Sequence, residues 1–349
     1  MNQKKMIEED AVQIANSRIK WEKLEGKTVL ISGATGYVPQ YLVHALMKRN
    51  DLYDSEIKVI AMCRNINKAK ERFEEYTNRE DFSMIIQDIF EDIEIEDEIH
   101  YVIHAASPAG LVNSNKDPVE TFKVNVFGAD NLLRLAERKK SEFLLFSSID
   151  VYGKVENGRF TESNLGILDT TDIRNVYAYS KRSAENLAIC YSQRGVRVKI
   201  IRPSQIMGGG VALNDGRLHI DFISQMLSEK RIVLKGDGTP VRSFIYITDA
   251  ITAILTVITK GENGQAYNIC NENAEASVLE LAQIMVGCAK EKMKVEFNLV
   301  TREQDIEVKH AISVVTASSG KIRKLGWRPE VTLEEASNKM MNYYGIETK

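Results

Sequence analysis

The stretch Lys27-Thr28-Val29-Leu30-Ile31-Ser32-Gly33-Ala34-Thr35-Gly36-Tyr37-Val38-Pro39 decides the fold. Val29 to Ile31 read as a buried parallel strand, and Tyr41, Leu42, Ala45 and Leu46 mark the periodic helix that follows. Between them Gly33 permits a tight turn, and Gly36 lets the backbone approach a pyrophosphate. The helix N-terminus adds free N–H groups and the positive end of its dipole. A glycine-rich turn carries this meaning only between a strand and a helix, and both are present. Pro39 stands where the usual spacing has a third glycine, and proline is tolerated in a first helical turn because no N–H is needed there. Gly33, Thr35, Gly36, Tyr37 and Val38 are therefore the expected contacts of a dinucleotide.

Outward from this turn, apolar runs at 57–63, 84–87, 101–104, 143–146 and 196–201 alternate with helical or linking stretches. Such alternation predicts an α/β fold with a doubly wound parallel sheet. Phe122, Val126, Ala129, Leu133 and Ala136 recur at three- and four-residue spacing, so 119–140 is an amphipathic helix, packed on the sheet and available for dimer packing. Past Pro203 the rhythm becomes irregular, with Gly208-Gly209-Gly210 and Asn214-Asp215-Gly216 marking loops. The expected organisation is a helical extension at 1–23, a dinucleotide-binding domain at 24–203 plus about 242–270, and a smaller substrate-binding region at about 204–241 plus 271–349. The sheet is expected to resume near 266–270.

Composition narrows the class. The 349 residues carry 46 Lys and Arg against 49 Asp and Glu, a net charge of −3, which argues against a nucleic-acid partner. Cys63, Cys190, Cys270 and Cys288 lie far apart, so neither a metal site nor a disulfide framework is expected, and a reducing cytoplasm fits. Residues 1–23 are too polar for a signal peptide, and no run reaches the roughly 18 apolar residues of a membrane helix. A soluble cytoplasmic protein without membrane contact is expected.

Tyr177-Ala178-Tyr179-Ser180-Lys181 carries the chemistry. In a helix Tyr177 and Lys181 share a face one turn apart. A nearby ammonium is expected to draw the phenol pKa down from about 10 and make a general base, with Ser148 sharing the proton. Two residues beyond Ser148, Asp150 is expected to project to the same side by strand alternation.

With these residues the chain resembles the extended short-chain dehydrogenase/reductases of the NAD-dependent epimerase/dehydratase family, which remodel nucleotide sugars. The resemblance covers roughly 24–340 and rests on Gly33-Ala34-Thr35-Gly36, Asp88-Ile89, His104-Ala105-Ala106, Ser148, Tyr177 with Lys181, Arg202-Pro203 and the Val241–Asp249 string. It implies a Rossmann fold in which Asp88 and Ile89 hold the adenine, Ala105 and Ala106 line the cofactor, and Lys181 also grips the nicotinamide ribose. It further implies that Arg242 binds the sugar-nucleotide phosphate, with Ser107, Ser148, Ser204 and Arg217 around the substrate. A nucleotide-sugar partner, a homodimer and a place in polysaccharide biosynthesis follow from the same resemblance.

The fate of a 4-keto sugar turns on residues 149 and 150. Similar hexose 4,6-dehydratases have Asp-Glu there, simple 4-epimerases commonly no carboxylate, and nucleotide-sugar decarboxylases a small polar residue followed by Glu. This chain has Ile149-Asp150, a partial match to the decarboxylases. Ala105-Ala106-Ser107-Pro108-Ala109 and Asn214-Asp215-Gly216-Arg217 are similar to strings of UDP-glucuronate decarboxylases. Such an enzyme is the expected function, with 4-epimerase and 4,6-dehydratase as alternatives. NAD is the expected cofactor. Arg64, where NAD users usually place an acidic residue, leaves open NADP and an NADPH-dependent carbonyl reductase.

Overall fold

Strand β1 (Thr28–Ser32) is buried along its whole length, as expected of a central strand covered on both faces. In this computed structural model, which describes residues 3–108, 116–153, 159–164, 166–298 and 314–349, it pairs in parallel with β2 (Lys58–Cys63) on one side and β4 (Tyr101–His104) on the other. β3 (Phe82–Ile86), β5 (Glu142–Phe146), β6 (Arg197–Pro203) and β10 (Gln265–Ile269) complete a seven-stranded sheet in the order β10-β6-β5-β4-β1-β2-β3. Every pairing in it is parallel, the doubly wound sheet that the sequence predicts.

Alternate side chains of these strands enter different cores. Val29 and Ile31 pack in the layer that includes α2 (Tyr37–Tyr53) and α7 (Ile247–Lys260). Leu30, Ile60 and Val102 pack in the layer of α4 (Pro118–Lys139) and α5 (Val176–Gln193). Strand order reverses between β1 and β4, and such switch points are where open α/β sheets bind ligands.

A second sheet joins β11 (Glu275–Ser277), β9 (Val241–Tyr246) and β13 (Val314–Val315), with β7 (Gln205–Met207) also paired to β9. β8 (Arg231–Leu234) and β12 (Lys294–Phe297) form a separate pair. The large sheet resumes at Gln265, as the apolar run there predicts, while the residues from Val241 to Tyr246 join the smaller one. The first helix, α1 (Gln3–Ala15), is no loose extension. It lays Ala11, Ile14 and Ala15 against α2 and α7, and its buried Asp10 accepts from the Tyr246 hydroxyl at 2.7 Å and from Lys339 at 3.2 Å. Among the described residues no helix is long and apolar enough to cross a membrane.

Candidate active site

Gly33 adopts φ +65°, a conformation that favours glycine, and a Cβ there would lie 2.6 Å from the Ala106 Cα. The turn after β1 and the loop after β4 thus meet backbone to backbone at the switch point. Gly36 caps α2 in an extended conformation without a side-chain hydrogen bond, so the first N–H groups of the helix remain available to an anion. Beneath, the buried Ser32 hydroxyl lies 3.0 Å from His104 Nδ1 and accepts from Ala105 N at 3.3 Å. Burial, helped by the nearby Lys181, lowers the His104 pKa to about 3, so this ring is a neutral strut.

The Tyr177 side departs from the sequence expectation in its electrostatics. Tyr177 and Lys181 do share one face of α5, with the ammonium 5.7 Å from the phenol ring centre. Yet Lys181 is buried and donates to the Phe146 carbonyl at 2.8 Å. Burial raises the Tyr177 pKa, the Asp150 charge adds to the rise, and only contacts with Ser148 and Arg217 oppose it. The Lys181 pKa is itself lowered to about 7, again by burial, with Glu185 opposing. The expected fall in the phenol pKa is therefore absent here, because burial of the phenol and the Asp150 charge outweigh the Ser148 and Arg217 contributions that favour ionisation.

Strand β5 ends at Phe146, so alternation does not govern residues 148–150. Ser148 instead caps a short 3-10 turn, Ile149–Tyr152, accepting from Asp150 N at 3.2 Å. The same hydroxyl donates to Asp150 Oδ2 at 2.9 Å, which brings the two side chains together by a different route. Asp150 is open to solvent yet closely surrounded by protein, the situation of a group on a cleft floor. Its pKa is raised by this enclosure and lowered by Ser148 and Arg242. Ile149 points the other way, into a core with Val151, Tyr152 and Phe160.

Arg242 on β9 faces Asp150, and Arg217 lies within electrostatic reach of Tyr177. Arg217 pairs with Asp215 at 3.2 Å and sits 5.3 Å over the Tyr37 ring, while its Nη1 is buried without a partner among the described residues. The hydroxyls of Ser107 and Ser204 are likewise buried and unpartnered among them. Ala109, the end of one string singled out in the sequence, lies outside the described residues.

Four expected cofactor contacts, Tyr37, Ile89, Asp88 and Arg64, make side-chain contacts of their own within the protein. The Tyr37 ring turns from the glycine turn towards Arg217 and Gly208, leaving only its backbone beside the cofactor turn. Ile89 packs its side chain against Gly128 of α4, so what it presents to a ligand is main chain, while Asp88 caps its own turn by accepting from Phe90 N at 3.1 Å. Arg64 is 73% exposed and pairs with Glu120 at 3.5 Å. Thr35 and Val38 are half-buried at the start of α2.

A dinucleotide turn at the switch point, opening beside a Ser–Tyr–Lys set, defines a nicotinamide-dependent short-chain dehydrogenase/reductase. The sequence profile of the NAD dependent epimerase/dehydratase family matches residues 29–270. The chain belongs to that family, and NAD is its cofactor. UDP-glucuronic acid decarboxylase 4 of Arabidopsis thaliana is 31% identical over 308 residues, 88% of this chain and 66% of that protein. UDP-glucuronic acid decarboxylase 1 of Danio rerio is 30% identical over 322 residues, 92% of this chain and 73% of that protein. The chain thus spans about two thirds of the length of the plant relative. Among solved structures, UDP-glucuronic acid 4-epimerase from Bacillus cereus superposes with a TM-score of 0.76 at 22% identity, covering 91% of this chain and 98% of that one. A dTDP-glucose 4,6-dehydratase from Bacillus anthracis does so with 0.73 at 20%, covering 91% and 96%. At these identities the superpositions speak for the fold.

The residues present fit the cofactor. Main chain floors the groove at Gly33 and Ala106, uncapped N–H groups face it from α2, and Lys181 stands at its inner end. One residue near the site was not singled out in the sequence: Glu185, buried one turn beyond Lys181 and within electrostatic reach of it. Its four-residue spacing was the available signal.

Proposed function

We propose that this protein oxidises the sugar of a nucleotide sugar at carbon 4 and is a UDP-glucuronate decarboxylase-like enzyme. The observation that carries the reading is the Asp150 carboxylate held against Ser148 with no acid beside it at position 149. Asp150 is hydrogen-bonded to Ser148 and faces Arg242, while Ile149 beside it is turned into the core. Elimination of water from a hexose needs an acid and a base together. A carboxylate beside a base, with no acid next to it, suits loss of carbon dioxide, in which the leaving group departs without a proton. The 30–31% identical relatives bearing the decarboxylase name favour the same branch.

Bound NAD supplies the acceptor for the carbon-4 hydride and its return. The Tyr177 phenol is neutral in the free protein, so it takes the proton of the 4-hydroxyl only as the phenolate, a form that the positive charge of bound NAD beside it would favour, with Ser148 holding the oxygen and Lys181 the ribose. The carbon-5 to carbon-6 bond then breaks and leaves its electron pair at carbon 5, stabilised through the ketone. Asp150, with its raised pKa, is placed to move the proton that carbon 5 must receive. Arg242 holds the phosphates and Arg217 the carboxylate end of the sugar, with Ser107 and Ser204 donating to its hydroxyls.

We further propose a homodimer through α4 and α5. Val119 and Phe127 are exposed on α4, and Val126, Leu187 and Cys190 line a depression between the helices. The four free cysteines fit a cytoplasmic place, and the product fits the supply of sugars for polysaccharide synthesis. Incubation with a panel of nucleotide sugars, followed by mass spectrometry, tests the reaction. Loss of carbon dioxide from UDP-glucuronate is expected. Loss of water, an isomer of unchanged mass or net reduction would replace this reading with a dehydratase, an epimerase or a reductase.

A further inference from the structure

Arg202-Pro203 ends β6 and bonds none of Ser148, Asp150, Tyr177 and Lys181 directly. The Arg202 guanidinium instead grips Glu185 on α5, with Nε 2.9 Å from Oε1 and Nη2 2.7 Å from Oε2. Both are largely withdrawn from solvent, with side chains 13% and 11% exposed. Nη1 of Arg202 donates to the Tyr152 hydroxyl at 2.9 Å and the Glu162 carbonyl at 3.2 Å, and the Tyr152 hydroxyl in turn donates to Asn268 Oδ1 at 2.7 Å. One buried network thus ties together the helix bearing Tyr177 and Lys181, the end of β6, and the turn bearing Ser148 and Asp150.

We propose that Glu185, clamped by Arg202, is a positioning residue for the reaction: it fixes α5 against the Ser148 turn and places a buried carboxylate one helical turn from the Lys181 ammonium group. This rests on the reading above only in taking Lys181 as the cation that grips the cofactor. A carboxylate one helical turn away lies on the same face as Lys181. The bidentate clamp keeps it from swinging to solvent.

The charges around the pair are few. Facing Lys181 are Tyr177 and Glu185 from its own helix and His104 from β4, with the phenol and the imidazole both held neutral by burial. Facing the clamp are Arg182 from α5, Tyr152 from the 3-10 turn, and Lys321, which is near Arg202 and Glu162. Glu185 is the one anion that acts on Lys181 among the described residues. With a Lys181 pKa of about 7, small changes in this charge move its titration across the working range.

The test is the pH dependence of NAD affinity, measured by calorimetry on the intact protein beside Glu185→Gln and Arg202→Gln variants. Binding should weaken as pH rises and Lys181 loses its proton. Glu185→Gln removes the supporting charge, so this alkaline limb should move to lower pH. Arg202→Gln frees the Glu185 charge from its partner, so the limb should move the other way. Glu185→Asp, which keeps the charge, should leave the limb in place even if turnover falls. Limbs that coincide in all proteins, or that shift together in one direction, would reduce Glu185 to a fold-stabilising residue. If one Gln variant fails to fold, the direction of the other decides. Because NAD affinity does not depend on which sugar is turned over, failure of the decarboxylase reading is separately visible in the products.

Discussion

The cofactor side of the cleft is built from strand ends that lie next to one another, whereas the side proposed to face the substrate hangs from side chains supplied by distant parts of the chain. On the first side, the Gly33 turn and the Ala106 loop follow adjacent strands and meet through main chain. On the second, the residues from Gly208 to Val211 are latched by tyrosines. The Tyr41 hydroxyl donates to the Gly209 carbonyl at 3.2 Å, and Tyr344 bridges both polar groups of Val211, at 2.6 Å and 3.1 Å. Behind them, Asp10 from the first helix and Lys339 from the last converge with Tyr246. A site made of backbone tolerates side-chain changes but not a Cβ where none fits. A site held by side-chain latches loses geometry by degrees, one hydrogen bond at a time. The two halves should therefore fail separately.

The largest effect is expected where the halves meet. Tyr177→Phe keeps the ring and removes the oxygen, so turnover should fall by roughly 10²–10⁴-fold. NAD affinity should be nearly unchanged, because the glycine turn is untouched. Steady-state rates with calorimetry on the same sample check both parts, and near-normal turnover would remove Tyr177 from the chemistry.

Gly33→Ala tests the backbone half. The added methyl meets the Ala106 main chain at 2.6 Å in a φ +65° conformation that costs an ordinary residue about 1–2 kcal/mol. NAD affinity should drop at least tenfold by calorimetry, with the stability of the protein lowered as well. Unaltered NAD binding would mean that the two loops open freely and that their contact is incidental.

These two effects fall on features that are legible in the sequence, because each rests on short-range pattern. Strand–turn–helix at Gly33, the strands of the large sheet and the Tyr177–Lys181 spacing are all local. What was not legible depends on packing between distant segments. The contact of Asp10 with Tyr246 joins positions 236 residues apart. The side to which Tyr37 turns is set by Arg217 and Gly208, and the rise rather than fall of the Tyr177 pKa is set by how closely protein surrounds it. Asp150 meets Ser148 through a capping turn, which a strand-alternation argument reaches only by coincidence.

A smaller change probes the latched half. Tyr344→Phe deletes both hydrogen bonds to Val211, each worth about 1 kcal/mol net. KM for the nucleotide sugar should rise roughly 5- to 30-fold, with NAD affinity unchanged. A loss of NAD binding instead would show that the two sides are one mechanical unit.

The smallest effect is expected at Arg64, exposed and paired with Glu120. Arg64→Ala should leave NAD affinity within experimental error, since exposed ion pairs contribute about 0–1 kcal/mol. A selective loss of NADP binding by roughly 1.5–3 kcal/mol would instead assign Arg64 to a 2′-phosphate. That outcome would make the cofactor side less specific for NAD than its family suggests.

The central claim is that a site with Asp150 beside Tyr177 and an apolar Ile149 next to it oxidises its sugar only to lose carbon dioxide. It is tested most directly with UDP-glucuronate carrying an isotopic label at carbon 6, following released carbon dioxide and the redox state of NAD in the same reaction. The account predicts labelled carbon dioxide in step with substrate consumption and no net reduction of NAD over many turnovers. Label retained in a sugar product, whether epimerised or simply oxidised, would contradict it.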